Sequence, residues 1–307
     1  MSRNAKVCAP KICALTGAHG YVGSALRRGL TAAGWTVVSL SRRENLSGDE
    51  IRWSLDEASG SGPNPLCEEL RRREVSAVVH AAWDLRLVRP RDLERVNVQG
   101  SIRLLSAARA AEVSRFVFIS TISAFDEAES YYGKTKLAVE REVARQGGVV
   151  IRPGLVYGER PGGMFGALKA QAGRGAIIPL LGNGRYAQYL VHEDDLAAAV
   201  IAAVSIEKAP ERPVTVAHPE PRPLRSLMRQ LAESQGSHPR FVSVPWPLVY
   251  QGLKVTEALG LKLGFRSDSV IGLVRHNRHP DLNASLLGVA PRPFTDPGRE
   301  QTQRNSG

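Results

Sequence analysis

The sequence predicts an α/β protein in which a doubly wound parallel sheet carries a smaller C-terminal lobe. Short, continuously apolar segments recur through the first half of the 307-residue chain, and helix-compatible segments separate them. Such apolar runs are typical of strands that are buried on both faces of a parallel sheet. After about Gly158 the alternation loosens and Gly and Pro become frequent, which predicts the smaller lobe.

The expected strands are KICALT (11–16), WTVVSLS (35–41), SAVVHAA (76–82), RFVFIS (115–120) and VVIRPG (149–154). Helices are expected at 20–33, 91–111 and 131–146, and a further helix is expected to end at 71–73. Ligands of open parallel sheets bind at the carboxyl ends of the strands. The residues that follow these strands are therefore the first place to look for a site.

The second half of the chain predicts helices at 194–204 and 224–234, and an amphipathic helix over 245–265 that is entered through prolines. We expect residues 1–158 to form the sheet domain, to which residues 187–217 return. Residues 159–307 are expected to form mostly the smaller lobe, with a polar tail that frays from Pro291.

The formal net charge of +11 raises the possibility of a nucleic-acid partner. The arginines are spread along the chain, however, and the densest run at 71–73 has no aromatic residues among it. We therefore expect no nucleic-acid partner. The longest apolar run, at 196–204, is too short to span a bilayer, and the N-terminus lacks an apolar core of signal-peptide length. The expectation is a cytoplasmic protein without membrane insertion.

No metal site is expected. The three cysteines are Cys8, Cys13 and Cys67, and their spacing matches no metal-ligand pattern and no even disulfide set. Cys13 lies in an apolar run and is expected to be a buried thiol. His276 and His279 are too isolated to indicate a metal centre.

The first strand runs directly into TGAHGYVGSAL (16–26), which contains Gly17, Gly20 and Gly23. Glycines at this spacing between a strand and a helix are typical of a dinucleotide-binding βαβ unit. Gly17 is expected to make the tight turn, Gly20 to admit a pyrophosphate at the helix N-terminus, and Gly23 to allow close packing. The sheet is therefore expected to be of the Rossmann type.

The end of the second expected strand indicates which cofactor is bound. NAD-binding chains usually carry an acidic residue there, which binds the adenosine ribose hydroxyls. Here Ser41 takes that place and Arg42 and Arg43 follow. Two guanidinium groups can bind a 2′-phosphate, and no carboxylate at that position repels it. We therefore expect NADP(H) to be preferred over NAD(H).

The hexapeptide YYGKTK (131–136) contains one Y-x-x-x-K pair, Tyr132 with Lys136. Residues four apart lie on the same side of a helix, where an ammonium lowers the pKa of a nearby phenol. The pair is therefore either an acid with its helper or two polar residues on a solvated helix start. Spacing alone leaves both interpretations open.

The motifs taken together resemble the extended short-chain dehydrogenase/reductase superfamily, in its NAD(P)-dependent epimerase/dehydratase-like branch. The resemblance covers roughly residues 11–204 and rests on these segments: TGAHGYVG (16–23), VVHAAW (78–83), NVQGSIRLL (97–105), FVFISTISAF (116–125), YYGKTK (131–136), RPGLVYG (152–158) and VHEDDLA (191–197). It implies that Tyr132 and Lys136 are the catalytic pair. It also implies that Thr121, rather than Ser120, is their hydroxyl partner.

The resemblance implies a wider set of binding residues. Those expected at the cofactor are Gly17, His19, Gly20, Tyr21, Val22, Gly23, Ser41, Arg42, Arg43, Ala81, Ala82, Lys136, Pro153 and Val156, and those expected at the substrate are Trp83, Ser123 and Tyr157. Lys136 would bind the nicotinamide ribose and lower the pKa of Tyr132. Asn97, His80 and His192 are expected to be structural.

Three departures from the family pattern bear on the reaction. Thr121 is followed by Ile122 and Ser123, whereas the family's 4,6-dehydratases have Thr-Asp-Glu, so dehydration of that type is not expected. Gln188 stands where many sugar-nucleotide enzymes have an arginine, and the segment GERPGGMFGALK (158–169) lacks the asparagine that those enzymes have after VYG. Only ten residues separate Thr121 from Tyr132, and the family often has a longer loop there.

The leading functional hypothesis is an NADP(H)-dependent oxidoreductase that interconverts a carbonyl and a secondary alcohol of a small molecule, including a sugar-derived one. The alternatives are a sugar or sugar-nucleotide epimerase with tightly bound cofactor, and a cofactor-binding regulator or scaffold without turnover. The resemblance also implies a homodimer through the helices at 91–111 and 131–146. Their outer faces are expected to carry Ala107, Ala110, Leu137 and Ala138.

Overall fold

The computed structural model describes residues 11–43, 48–57, 64–261 and 265–295. The strands in chain order are β1 (Ile12–Thr16), β2 (Thr36–Ser41), β3 (Glu50–Arg52), β4 (Ala77–His80), β5 (Arg115–Ile119), β6 (Val149–Pro153), β7 (Leu155–Tyr157), β8 (Ile177–Leu181), β9 (Ala187–Gln188), β10 (Leu190–His192), β11 (Val214–Val216), β12 (Arg222–Pro223) and β13 (Arg240–Val244).

The helices are α1 (Tyr21–Ala32), α2 (Pro65–Arg72), α3 (Pro90–Asp92), α4 (Gln99–Ala110), α5 (Tyr131–Arg145), α6 (Gly163–Ala172), α7 (Glu193–Ser205), α8 (Leu224–Glu233), α9 (Trp246–Ala258) and α10 (Ser267–Val274). A π-helical stretch, Leu93–Val98, joins α3 to α4, and Ala284–Leu287 forms a 3₁₀ turn.

The centre of the molecule is a seven-stranded parallel sheet in the order β11-β6-β5-β4-β1-β2-β3. Its residues are apolar on both faces because helices cover both. One face packs against α2, α4 and α5, and the other packs against α1 and α7. The predicted doubly wound Rossmann-type architecture is therefore confirmed, and the strand order reverses between β1 and β4, which gives the sheet its switch point.

The C-terminal lobe has its own apolar core, built from α6, α8, β8 and neighbouring residues such as Phe294. Two-stranded sheets connect its segments: β7 pairs with β10, β8 with β13, and β9 with β12. The chain returns to the large sheet when β11 pairs with β6 in parallel register. A later segment also returns, because Leu282 bridges Thr215 and the side chain of Asn283 accepts a hydrogen bond from Thr215 N at 2.7 Å.

The structure differs from the sequence prediction in its shortest and its last elements. The strands β3 and β11 were not expected, since each has only three residues. The helix expected over 245–265 ends at Ala258, because Gly260 adopts a left-handed φ of 74°. Residues 262–264 of that expected helix lie outside the described residues.

The tail does not fray directly at Pro291 as expected. The Arg292 guanidinium binds the Asp195 carboxylate at 2.7–3.1 Å, and the ring of Phe294 packs edge-to-face on Tyr157 and Phe165. These contacts fasten residues 291–295 to α7 and to the lobe core. Residues 296–307 of the expected tail lie outside the described residues.

Cys13 is fully buried as expected, and burial raises the pKa of its thiol to about 12. Cys67 is also buried, whereas Cys8 lies outside the described residues. None of the helices in the described residues has the length and hydropathy that a membrane span requires.

Candidate active site

The glycine loop lies at the carboxyl end of β1 and leaves no room for side chains. Gly17 has a φ of 70°, and a Cβ there would lie 2.9 Å from the backbone nitrogen of Ala82. A Cβ on Gly23 would lie 2.0 Å from the carbonyl oxygen of Gly17. The turn and the close helix approach therefore require glycine. Gly20 is the N-cap of α1 and provides no side-chain hydrogen bond, so this helix end fits an anionic pyrophosphate.

A continuous chain of buried hydrogen bonds holds the loop after β4 against the glycine loop. Thr16 Oγ1 accepts from the backbone nitrogens of Ala81 and Ala82 at 3.0 and 2.9 Å. It therefore donates to His80 Nδ1 at 2.7 Å, and the other ring nitrogen of His80 contacts Ser101 Oγ at 2.8 Å. Burial, aided by the charge of Lys136, lowers the pKa of His80 to about 3. His80 is thus a neutral structural residue, as expected.

Asn97 continues this arrangement on the helix side. Its side chain accepts from Asp84 N at 2.8 Å and donates to Asp84 O at 3.1 Å. These two hydrogen bonds hold the loop after β4 in place, so Asn97 has a structural role, as expected.

The end of β2 carries the residues expected at the adenosine. Ser41 is buried, and its Oγ accepts from the backbone nitrogen of Arg43 at 3.2 Å. Arg42 lines a depression of about 300 Å³ together with Arg52, Trp53, Ser54, Asp56 and Glu57. Arg52 ends β3, which the sequence prediction had missed, so its proximity to Arg42 could not be foreseen.

The remaining residues of the glycine loop have identifiable partners. His19 Nε2 contacts the buried Glu50 carboxylate at 3.0 Å, which connects the loop to β3. Tyr21 begins α1, and its ring packs against Gly162, where a Cβ would lie 2.8 Å from Tyr21 Cγ. Val22 packs against the apolar core between the sheet and α1.

The side chains of Thr121 and Tyr132 meet at the carboxyl end of β5. The Thr121 hydroxyl lies near enough to the Tyr132 phenol to affect its pKa, and Thr121 Oγ1 accepts a hydrogen bond from Ser123 N at 3.2 Å. The close approach depends on Gly133, because a Cβ there would lie 2.3 Å from the carbonyl oxygen of Ser123. The glycine of YYGKTK therefore lets the loop after β5 lie directly against α5.

The pKa of Tyr132 moves opposite to the direction expected from a lysine helper. Burial raises the pKa of Tyr132 to about 12, and the nearby Thr121 hydroxyl only partly opposes this shift. The expected lowering by Lys136 is absent because desolvation is the dominant effect on the phenol. The hydroxyl is consequently protonated at neutral pH and can act as a donor.

Lys136 is buried, which excludes the interpretation of a solvated helix start. Its Nζ donates to the carbonyl of Ile119 at 2.7 Å and lies 4.1 Å from the ring centroid of Trp83 and 4.6 Å from that of Phe118. Burial lowers the pKa of Lys136 to about 7, and Glu140 on the next turn opposes the shift.

Ser120 is occupied elsewhere. Its Oγ donates to the buried carboxylate of Glu140, which also binds the Arg152 guanidinium through both oxygens at 2.5–3.0 Å. Ser120 therefore points into a structural ion pair, whereas the neighbouring Thr121 points toward Tyr132.

Trp83 lies at the centre of this cluster. Its ring meets Tyr132 edge-to-face at 6.4 Å between centroids and also covers Lys136. Within the described residues, its indole nitrogen is buried and has no hydrogen-bond partner. A buried N–H without an acceptor is costly, so this donor is suited to a ligand oxygen.

Tyr157 differs from the expectation that it contacts the substrate. It is 1% exposed, its hydroxyl donates to Pro293 O at 3.1 Å, and its ring stacks within the lobe core. Pro153 is buried, and its carbonyl oxygen accepts a hydrogen bond from Ile122 N at 3.0 Å. Val156 packs against the apolar core between the sheet and helices α1 and α7.

His192 was expected to be structural. It caps α7 by accepting a hydrogen bond from Asp194 N at 3.2 Å.

A residue of the C-terminal lobe caps helix α5, and sequence reasoning missed it. The Asp268 carboxylate accepts hydrogen bonds from the backbone nitrogens of Tyr131 and Tyr132 at 2.7 and 3.0 Å. It therefore adds to the cap that Ser130 makes by accepting from Gly133 N at 3.1 Å. Asp268 lies on α10, 136 positions beyond Tyr132, so no local sequence signal connects the two.

The comparisons with known proteins agree with this geometry. Residues 13–217 match the model of the NAD dependent epimerase/dehydratase family. The chain is 26% identical over 285 residues to a ceramide reductase from Caulobacter vibrioides, covering 91% of this chain and 88% of that protein. It is 24% identical over 251 residues to a UDP-glucose 4-epimerase from Vibrio cholerae, covering 73% of this chain and 75% of that one.

The fold also resembles solved structures. The structure of MoeE5 in complex with UDP-glucose and NAD superposes with a TM-score of 0.70 at 23% identity, covering 96% of this chain and 100% of that one. Reductases and epimerases both occur among the similar proteins. From the match to the family model and the glycine loop, the chain belongs to the NAD dependent epimerase/dehydratase family.

Proposed function

We propose that this protein is an NADP(H)-dependent oxidoreductase that interconverts a carbonyl and a secondary alcohol. The observation that carries the proposal is the convergence of the Thr121 and Tyr132 hydroxyls at the carboxyl end of β5, one helical turn from the buried Lys136. Two hydroxyl groups that converge on one point can bind a single substrate oxygen and supply its proton.

The proposed roles follow from the contacts of each side chain. Thr121 and Tyr132 bind the substrate oxygen, and Tyr132 gives its proton to that oxygen during reduction and takes it back during oxidation. When bound, the nicotinamide supplies or accepts the hydride. Lys136 holds the nicotinamide ribose and provides positive charge behind the phenol. Gly17, Gly20 and Gly23 accommodate the pyrophosphate at the start of α1, and Arg42 binds the 2′-phosphate.

Two observations favour a reductase over a sugar-nucleotide epimerase. The amide of Gln188, at the position where many sugar-nucleotide enzymes have an arginine, donates to backbone carbonyls of Ala187 and Tyr186 at 3.0 and 3.4 Å. It also carries no charge with which to bind a diphosphate. The similarity to a ceramide reductase extends over 91% of the chain.

An epimerase is the second candidate, favoured by the similarity to a UDP-glucose 4-epimerase. An epimerase oxidises and then reduces the same carbon, so it needs no net supply of cofactor. Purified protein that retains nicotinamide cofactor and interconverts sugar epimers without added NADP(H) would support this candidate. Stoichiometric oxidation of added NADPH by a ketone or aldehyde would support the reductase.

The proposal is tested by the variants Tyr132→Phe and Tyr131→Phe, assayed side by side on an accepted substrate. Tyr132→Phe removes the proton donor and should lower turnover by about 10²–10⁴, with cofactor affinity nearly unchanged. Tyr131 is 46% exposed and adjacent helical residues point about 100° apart, so Tyr131→Phe should have little effect. Full activity in both variants would contradict the catalytic assignment of Tyr132. A wild type that binds NADPH but turns over no ketone, aldehyde or sugar would instead leave the non-catalytic binder as the better hypothesis.

A further inference from the structure

Helix α9 is apolar on two opposite sides. Its half-buried side includes Trp246 and Leu253 and packs along α10. Its outer side exposes Leu248, Val255 and Leu259 to 68%, 59% and 71%. These three residues are spaced by seven and four positions, so they form one stripe along the helix. No residue of α9 is buried, although a helix with apolar residues all round is normally enclosed.

The surface next to this α9 stripe is also aliphatic. Leu261, just beyond the helix, is 56% exposed, and Leu85, in the loop after β4, is 63% exposed. The side chain of Arg266, at the start of α10, donates to the carbonyl of Leu85. That contact connects the loop of Leu85 to the α9–α10 pair.

The charge of this region is positive. Residues 240–278 contain six Lys or Arg residues and only two acidic ones, Glu257 and Asp268. Glu257 accepts hydrogen bonds from the backbone and side chain of Ser267, and Asp268 accepts from the first residues of α5. One arginine, Arg275, pairs with Glu129 at 3.4 Å. An exposed aliphatic stripe within a positively charged segment is complementary to an apolar layer beneath anionic headgroups.

Other occupants fit the stripe less well. The last twelve residues of the sequence, DPGREQTQRNSG, contain no large apolar side chain that could cover it. A few aliphatic side chains expose on the order of a few hundred Å², which is less than the roughly 800 Å² per partner of a stable dimer. Protein–protein hot spots favour Trp, Tyr and Arg over Leu and Val, and the stripe consists of Leu and Val.

We propose that the α9 stripe docks this protein on a lipid surface that contains anionic headgroups. Leu248, Val255 and Leu259 enter the boundary between headgroups and acyl chains, and the net positive charge of the segment 240–278 attracts the anionic headgroups. The association is peripheral and reversible, since the buried side chains are few. It is independent of the proposed reductase activity, because it concerns binding alone.

The test is co-sedimentation of the full chain with vesicles of phosphatidylcholine, with and without phosphatidylglycerol. The variant Val255→Asp/Leu259→Asp removes the apolar contact and adds negative charge, and it should lower the partition onto anionic vesicles by about tenfold or more. Leu286→Asp is the matched control, because Leu286 is 44% exposed and lies in the 3₁₀ turn, outside α9. Raised salt should weaken the binding of the wild type.

Three results would overturn the proposal. The first is wild-type protein that remains in the supernatant with both kinds of vesicle. The second is equal binding to both kinds, which would remove the anionic component. The third is a dimer in light scattering that Val255→Asp/Leu259→Asp dissociates while vesicle binding is unchanged, which would assign the stripe to a second copy. Circular dichroism confirms that both variants are folded before any result is compared.

Discussion

Lys136 is almost completely buried, and its Nζ donates to the carbonyl of Ile119 beside two aromatic rings. A charged ammonium in this setting loses its hydration, and a single carbonyl and two ring faces replace only part of it. The folded protein therefore holds the pKa of Lys136 at about 7, well below the ordinary value of 10.5. The same residue is proposed to contact the cofactor, so its protonation affects both stability and binding.

The free energy of unfolding should depend on pH through the protonation of Lys136. Between pH 7 and 10.5 the unfolded state binds this proton more strongly than the folded state, so the free energy of unfolding rises with pH. Lys136→Met removes this dependence. Relative to the variant, the wild type should gain on the order of 2 kcal/mol between pH 7 and 9, measured by urea unfolding.

The control for this experiment is Lys134→Met, since Lys134 lies on the same helix and is exposed. Its difference from the wild type should be the same at both pH values. If the difference in free energy of unfolding between wild type and Lys136→Met is also the same at both pH values, the lowered pKa of the buried Lys136 is contradicted.

The two arginines after β2 should determine the choice of cofactor. Changing both Arg42 and Arg43 to Ala should weaken NADPH binding at least about tenfold, because a hydrogen bond to a charged group contributes about 1.5–3 kcal/mol. NADH binding should be almost unchanged. Arg42 lines the depression that also contains Arg52. Of the two single variants, Arg42→Ala should therefore weaken NADPH binding more than Arg43→Ala does. Fluorescence titration that gives equal affinities for NADH and NADPH in the wild type would contradict the preference.

At this scale the sequence predicted the residues that carry a local pattern. Gly17, Gly23 and the pair of Tyr132 with Lys136 are recognisable because the turn and the helix fix their spacing. Trp83, Arg52 and Asp268 reach the site through contacts between distant segments, and only Trp83 lay in a motif. The prediction that Lys136 lowers the pKa of Tyr132 was wrong, because burial raises this pKa. Burial of the phenol depends on tertiary packing, which the spacing of the two residues does not reveal.

Helix α5 begins at Tyr131, next to the proposed catalytic residue Tyr132, and two side chains cap it. Ser130 is local, whereas Asp268 comes from α10 and binds the backbone of Tyr131 and Tyr132. The negative carboxylate at a helix N-terminus is favourable. It also makes the orientation of the first turn of α5 depend on the position of the C-terminal lobe.

Substitution of Asp268 should therefore lower turnover without removing a group that touches the substrate. Asp268→Ala loses both acceptors, whereas Asp268→Asn keeps one oxygen, so the alanine variant should have the lower kcat, by about tenfold. Loss of a cap costs about 0.5–2 kcal/mol. KM for the cofactor should change little. Asp281→Asn, which alters an exposed partner of Arg212, is the control, and wild-type kcat in Asp268→Ala would contradict the role.

The longer elements could be predicted because their patterns are repeated over many residues. Strands β1, β2, β4, β5 and β6 are continuous apolar runs, and α1, α5 and α7 have clear starts. Strands β3 and β11 have three residues each, too few for a periodicity to be recognised. Helix α9 was expected to be amphipathic, but it has apolar residues on both sides, and its sequence could not indicate that one side stays exposed.

The molecule as a whole combines a sheet domain with a lobe that is connected to it at several points. The expected return of residues 187–217 to the sheet domain stays a prediction, and the contact that bears on it is the pairing of β11 with β6. The later return of residues 282–287 was not expected. The chain therefore passes between the sheet domain and the lobe more often than a single division near residue 158 implies.

The expected homodimer remains a prediction, and the structure changes the surface on which it depends. Ala107 is buried in the apolar core beside the sheet, so it does not lie on the outer face of α4. Ala110 on α4 and Ala138 on α5 are exposed. Light scattering at micromolar concentration should give twice the mass of one chain. Ala138→Arg should shift the mass toward the monomer, while Ala33→Arg, an exposed position at the end of α1, should not. A monomeric wild type would contradict the prediction.

Strand β11 follows β6 by about sixty residues, and its outer edge is covered only when Leu282 and Asn283 arrive. During synthesis, the site residues up to Lys136 have thus emerged long before the sheet acquires its last strand and the cover of that strand. A chain that stops before Leu282 would contain every proposed catalytic residue and still present the free hydrogen-bonding edge of β11. Unpaired edges of apolar strands recruit other chains, so such a fragment would be lost to aggregation before its catalysis could be measured.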